Sequence, residues 1–217
     1  KGRCICIAPF FMLISKMSNF LINQIFGTPI VKIENAFQLN SDEKKFIQNL
    51  EMDRADVCLF ISKNLNVLQC KELDRVKKEI NKHASDFIEK IICVSNMFKM
   101  TNSWVAQSEK VHKTHDHKNA IFSCVYYVDA ENAELEFVRH HNFVTQSYFF
   151  DLNYYGKNEF NAFNLRFPVT TGDLMIFPGD MLHMGVNLSD KKKTVLGANY
   201  FIMGEVGKKE TITSLKI

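Results

Sequence analysis

The chain has 217 residues, 46% of them hydrophobic, enough to bury one substantial core in one domain but cramped for two. Its 27 Lys and Arg nearly balance 24 Asp and Glu, for a formal charge of +3, and the basic residues come in short groups such as Lys191, Lys192 and Lys193. That pattern gives no strong nucleic-acid signal. Six cysteines without a Cys-x-x-Cys pair exclude a zinc ribbon and a disulfide scaffold, and favour a reducing, cytoplasmic setting.

In chain order, residues 1–16 read as an N-terminal extension ahead of Met17, too short to span a bilayer, and 17–217 as a single domain. The stretch TPIVKI at 28–33 suggests a short strand. Asn40 with Glu43 three positions later marks a helix start. From Leu68 to about Ile92 the apolar residues Leu73, Val76, Ile80, Ala84, Phe87 and Ile91 recur at helical steps, predicting a helix laid against a sheet. Residues 40–95 are thus read as helical support. Beyond Met97 the pattern changes to short β-branched and aromatic runs, FSCVYYV, AELEFV, LRFPV, DLMIFP and TVLGANYFIM, so the β core is expected over 97–205. The whole predicts a mainly β (α+β) fold, a sandwich or barrel supported by N-terminal helices. The aromatic stretch from Tyr148 to Phe163 reads as a lid or a hydrophobic edge.

Five of the seven histidines fall between 112 and 141. In an extended segment residues two apart face the same way, so His115 and His117 can converge on one ion while Asp116 points elsewhere. His183, after the Pro178-Gly179 turn, is a distant residue that can complete the set. His112 is the nearest substitute for His117, while His83, His140 and His141 read as surface or satisfied histidines.

The blocks HDHKNAIFSCVYYV, TTGDLMIFPGDMLHMGV and KTVLGANYF resemble, in order and spacing, those of the Fe(II)/2-oxoglutarate-dependent oxygenases. The likeness is closest to oxygenases of bacteria and tailed phages with a His-x-His motif, relatives of the prolyl hydroxylases. It covers about 97–203. The resemblance implies a double-stranded β-helix (jelly roll) and a dioxygenase that oxidises its substrate, by hydroxylation, with release of succinate and CO2. It implies Fe(II) on His115, His117 and His183, and 2-oxoglutarate as co-substrate. Two departures stand out: most of the superfamily has a carboxylate where this chain has His117, and Lys193 replaces the arginine that usually follows the distal histidine. By the same resemblance Lys193 and Tyr127 would hold the distal carboxylate of 2-oxoglutarate, with Asn199 on the same strand face. The plainer readings are a solvated turn lysine and a core tyrosine. The substrate, a small molecule or a peptide, is unidentified; no membrane is implied, and a homodimer fits. Two other classes stay open: a cupin-like three-histidine dioxygenase that does not use 2-oxoglutarate, and a catalytically silent jelly-roll module.

Overall fold

The computed structural model describes residues 27–139 and 162–217. The readings for residues 1–16, His140, His141 and positions 148–161 therefore lie outside the described residues.

A short strand β1 (Val31–Ile33) precedes helix α1 (Ser41–Gln48). The helix starts where the sequence places it because Asn40 and Glu43 form a capping box: the Asn40 side chain accepts the N–H groups of Asp42 and Glu43, and the Glu43 carboxylate accepts that of Asn40. Next come strands β2 (Met52–Asp56) and β3 (Leu59–Ser62), an antiparallel hairpin. The range 40–95, read as helical support, also holds these two strands between its helices, and they extend the main sheet. After two 3₁₀ turns, helix α2 (Asp74–Asp86) runs into a π-helical segment, Phe87–Ile92. Val76, Ile80, Ala84 and Phe87 are buried as the helical spacing predicts, but Ile91 is 48% exposed. The wider π turn advances the chain less per residue around the axis, so the stripe slips out of phase within that last turn.

The remaining strands are β4 (Met97–Ser108), β5 (Phe122–Asp129), β6 (Ala133–Val138), β7 (Asn164–Val169), β8 (Leu174–Pro178), β9 (His183–Asn187) and β10 (Lys193–Met203). Two short strands follow, β11 (Glu205–Val206) and β12 (Leu215–Lys216). Seven strands form an antiparallel sheet in the order β1-β8-β5-β10-β4-β3-β2, and β7-β6-β9 form a smaller sheet. This is the jelly-roll arrangement expected from the sequence.

Strand parity divides the large sheet's residues between two cores. On one face Phe122, Cys124, Tyr126, Leu174, Ile176, Leu196, Ala198 and Tyr200 pack in one cluster with Val76, Ile80 and Ala84 of α2. On the other, Val125, Tyr127, Met175 and Phe177 pack against Leu135, Phe137 and Val169 of the small sheet. Each fully buried aliphatic or aromatic side chain removes enough apolar surface from water to contribute about 1.5–3 kcal/mol, so both interfaces hold the sheets firmly. Between the two sheets, at one end of the second core, the histidines meet.

Candidate metal centre

His115 and His183 form an isolated antiparallel bridge, each backbone N–H donating to the other's carbonyl, at 3.0 and 2.9 Å. The His117 N–H donates to Gly179 O at 2.8 Å. These bonds fix the extended 115–117 segment against the start of β9, and a ligand atom from each of the three imidazoles lies within 4.8 Å of the others. Asp116, between them, is turned to Lys118 at 2.6 Å and is absent from the cluster.

The partners of the ring nitrogens determine which atoms face the common point. His115 Nδ1 lies 3.1 Å from Lys113 O, and His183 Nδ1 lies 2.8 Å from Met181 O. A carbonyl only accepts, so both rings carry their proton on Nδ1 and keep the lone pair on Nε2. His117 Nδ1 lies 2.7 Å from Ser123 Oγ and 2.8 Å from Asn199 Oδ1. The Ser123 hydroxyl donates to that same Asn199 oxygen at 2.8 Å, which leaves His117 to donate from Nδ1 as well. Three Nε2 lone pairs are thereby directed inward, each ring oriented by a hydrogen bond on its far side.

His112 is placed differently. Its Nε2 accepts the Gly185 N–H at 3.1 Å, so its lone pair is already used, although its ring lies 5.3 Å from that of His115. Burial, reinforced by His115, pushes the His117 pKa down to about 4 and that of His183 down to about 3. Both are therefore neutral at pH 7, the state that binds metal.

The triad opens onto a cavity of about 80 Å³ lined also by Trp104, Tyr127, Leu135, Gly185 and Lys193. Lys193 is 3% exposed, and its ammonium makes one polar contact among the described residues, with Val186 O at 3.4 Å. Its neighbours behave as ordinary surface lysines: Lys191 pairs with Glu131 at 2.7 Å and Lys192 with Glu109 at 3.2 Å. Burial without a carboxylate pushes the Lys193 pKa down to about 8. Tyr127 is buried and burial raises its phenol pKa. Asn199 does not line the cavity; it stands behind His117.

Three residues escaped the sequence reading. Ser123 orients His117, and its parity with Val125 and Tyr127 would have placed it inside. Trp104 sits edge-on to His117 at 5.2 Å, over Gly197, where a Cβ would stand 2.5 Å from the indole. Gly185 carries no sequence signal beyond its place two residues after His183.

Residues 102–195 match the family described as "Putative 2OG-Fe(II) oxygenase". The 2OG-Fe(II) oxygenase match runs from β4 to the start of β10 and contains all three histidines. Solved structures agree on the fold. The non-heme alpha ketoglutarate-dependent epimerase SnoN from nogalamycin biosynthesis superposes with a TM-score of 0.56 at 12% identity, over 80% of this chain and 78% of that one. HygX from Streptomyces hygroscopicus, solved with nickel, 2-oxoglutarate and hygromycin B, gives 0.54 at 11%, over 80% and 82%. A 2OG-Fe(II) oxygenase-family oxidoreductase from Burkholderia pseudomallei gives 0.54 at 10%, over 79% and 83%. No curated protein sequence matches the chain. Among the described residues no helix is long and apolar enough to cross a membrane.

Proposed function

We propose that the chain is an Fe(II)- and 2-oxoglutarate-dependent oxygenase of the hydroxylating type, with iron held by His115, His117 and His183. The observation that carries this reading is the common orientation of the three rings: every Nδ1 is bonded outward, and every Nε2 is free to face the same point. An all-nitrogen set of three leaves positions open, which suits a non-haem iron that must also take a chelating keto acid and dioxygen. Lys193 supports the co-substrate assignment. A buried ammonium without a carboxylate is costly, and a dicarboxylate bound between it and the triad would supply the missing charge. Tyr127, lining the same cavity, is the phenolic donor beside that carboxylate.

When bound, iron and 2-oxoglutarate would supply an oxidation by dioxygen, one oxygen atom ending in succinate as the keto acid loses CO2 and the other in the hydroxylated substrate. The chain's own residues orient and enclose. Ser123 and Asn199 hold the His117 ring, backbone carbonyls hold the other two, and Trp104 and Leu135 make the walls apolar. Lys193 fixes the far end of the co-substrate, so that one end of the cavity is committed before the substrate arrives. The substrate is a small molecule or a peptide, and the setting is the cytoplasm.

The test is anaerobic titration of the purified chain with Fe(II) and then 2-oxoglutarate, followed by succinate release in air. One iron per chain and a metal-to-keto-acid absorption band are expected. His115→Ala and His183→Ala should lose both with the fold intact; normal iron binding in either variant would overturn the ligand set. Iron binding without any 2-oxoglutarate dependence would favour the cupin-like alternative instead.

A further inference from the structure

Gly185 lies two residues after His183 on β9, and strand parity points its missing side chain into the cavity that holds the triad. A Cβ built there would stand 2.5 Å from Lys193 Nζ and 2.9 Å from His112 Nε2. Both distances are shorter than any real Cβ contact, so an alanine requires one or both groups to move. The His112 ring is held from two sides, by the Gly185 N–H at 3.1 Å and by Lys113 O at 3.3 Å. Lys193, whose single polar contact among the described residues is Val186 O, gives way more easily, and the free space beside it is the cavity itself.

We propose that Gly185 and His112 are specificity-determining residues that set the chain length of the dicarboxylate co-substrate, by fixing how far back the Lys193 ammonium can sit. The proposal rests on the reading of Lys193 as the partner of that distal carboxylate. Relieving the overlap takes roughly 1 Å at ordinary contact distances. One carbon adds about 1.2 Å to an extended chain, a third of the extension per residue. A methyl group at position 185 therefore removes about one methylene's worth of room, whether it advances the ammonium or fills the recess. Removing the His112 ring does the reverse, clearing space on the other side of that same point into which the ammonium can withdraw.

The experiment uses the full chain, without oxygen, loaded with Mn(II). Trp104, the chain's one tryptophan and edge-on to His117, reports binding by its fluorescence. Dissociation constants are measured for oxaloacetate, 2-oxoglutarate and 2-oxoadipate, which differ by one carbon at each step. Wild type should favour 2-oxoglutarate. Gly185→Ala should shift the 2-oxoglutarate-to-oxaloacetate preference about tenfold toward the shorter acid, the scale of one methylene in a closed pocket. His112→Ala should shift it toward 2-oxoadipate while Mn(II) affinity stays unchanged. Ratios that stay at the wild-type value, or affinities that all fall together, would overturn the assignment, and loss of Mn(II) binding in His112→Ala would make His112 a ligand and overturn it too. If Gly185→Ala does not fold, the His112→Ala ratio decides alone. Lys193→Ala separates the two levels: undiminished 2-oxoglutarate binding there sinks the underlying reading, whereas weakened binding with unchanged ratios in the other variants sinks only the ruler.

Discussion

Lys193 shows how one residue can be costly to the fold and useful to the site. Its pKa, lowered from 10.5 to about 8 by burial, means that below pH 8 the folded chain carries an ammonium it would be more stable without. The sign follows from proton counts: between pH 8 and 10.5 the unfolded chain holds the proton and the folded chain does not, so stability rises with pH across that window. Lys193→Met is expected to stabilise the ligand-free protein by about 3 kcal/mol at pH 7, the cost implied by a pKa lowered from 10.5 to about 8, and to abolish 2-oxoglutarate binding. Urea unfolding of both proteins at pH 7 and pH 10 checks this; the gap between them should narrow at the higher pH. An unchanged midpoint at pH 7 would mean that the ammonium is already compensated in the folded state.

At the level of elements, the clearest case is the adjacent pair Tyr126 and Tyr127, which β5 sends to opposite faces. Tyr126 stacks on Phe37 at 4.2 Å and donates its hydroxyl to Phe37 O at 2.9 Å, while Tyr127 lines the cavity. Tyr126→Phe should cost about 1 kcal/mol in unfolding free energy without affecting the co-substrate. Tyr127→Phe should weaken 2-oxoglutarate binding with little change in stability. Reversed effects would mean that the faces are misassigned. Strands of this kind were legible in the sequence because alternation is a local pattern, and the capping box at Asn40 and Glu43 was legible for the same reason. The β2–β3 hairpin was not, because MDRAD carries four exposed residues with little alternation and takes its strand conformation from pairing with β3, itself paired to β4. The displaced Ile91 was hidden as well, since a π turn leaves no signature in an apolar spacing that continues in α-helical phase. Of the site, the two-residue spacing suggested the convergence of His115 and His117, whereas His183 was added as a distant residue after a turn and by resemblance to the family. What holds them, Ser123 and Asn199 behind His117, depends on strand partners 76 positions apart and could not be read locally.

Over the whole molecule the histidines make stability a function of acidity. His112 and His117 are lowered to about 4 and His183 to about 3, chiefly by burial, so between pH 6.5 and 4 the unfolded chain takes up protons that the folded chain refuses. The metal-free protein should therefore lose stability steadily as pH falls through that range, as followed by thermal melts at fixed ionic strength. A flat profile would show that the rings are better solvated than their burial implies. A saturating divalent ion should raise the melting point, by about 2.7 kcal/mol of added stability at a hundredfold excess over its dissociation constant. The ring orientations carry a further consequence, in metal competition. Three imidazoles set in place by the fold, with Asp116 turned away to Lys118, offer no hard oxygen donor. Such a set follows the general order in which zinc, nickel and copper bind more tightly than ferrous iron. Protein purified without added iron should emerge carrying zinc or nickel, inert toward oxygen, and elemental analysis before and after chelation and anaerobic reloading with Fe(II) should show the exchange.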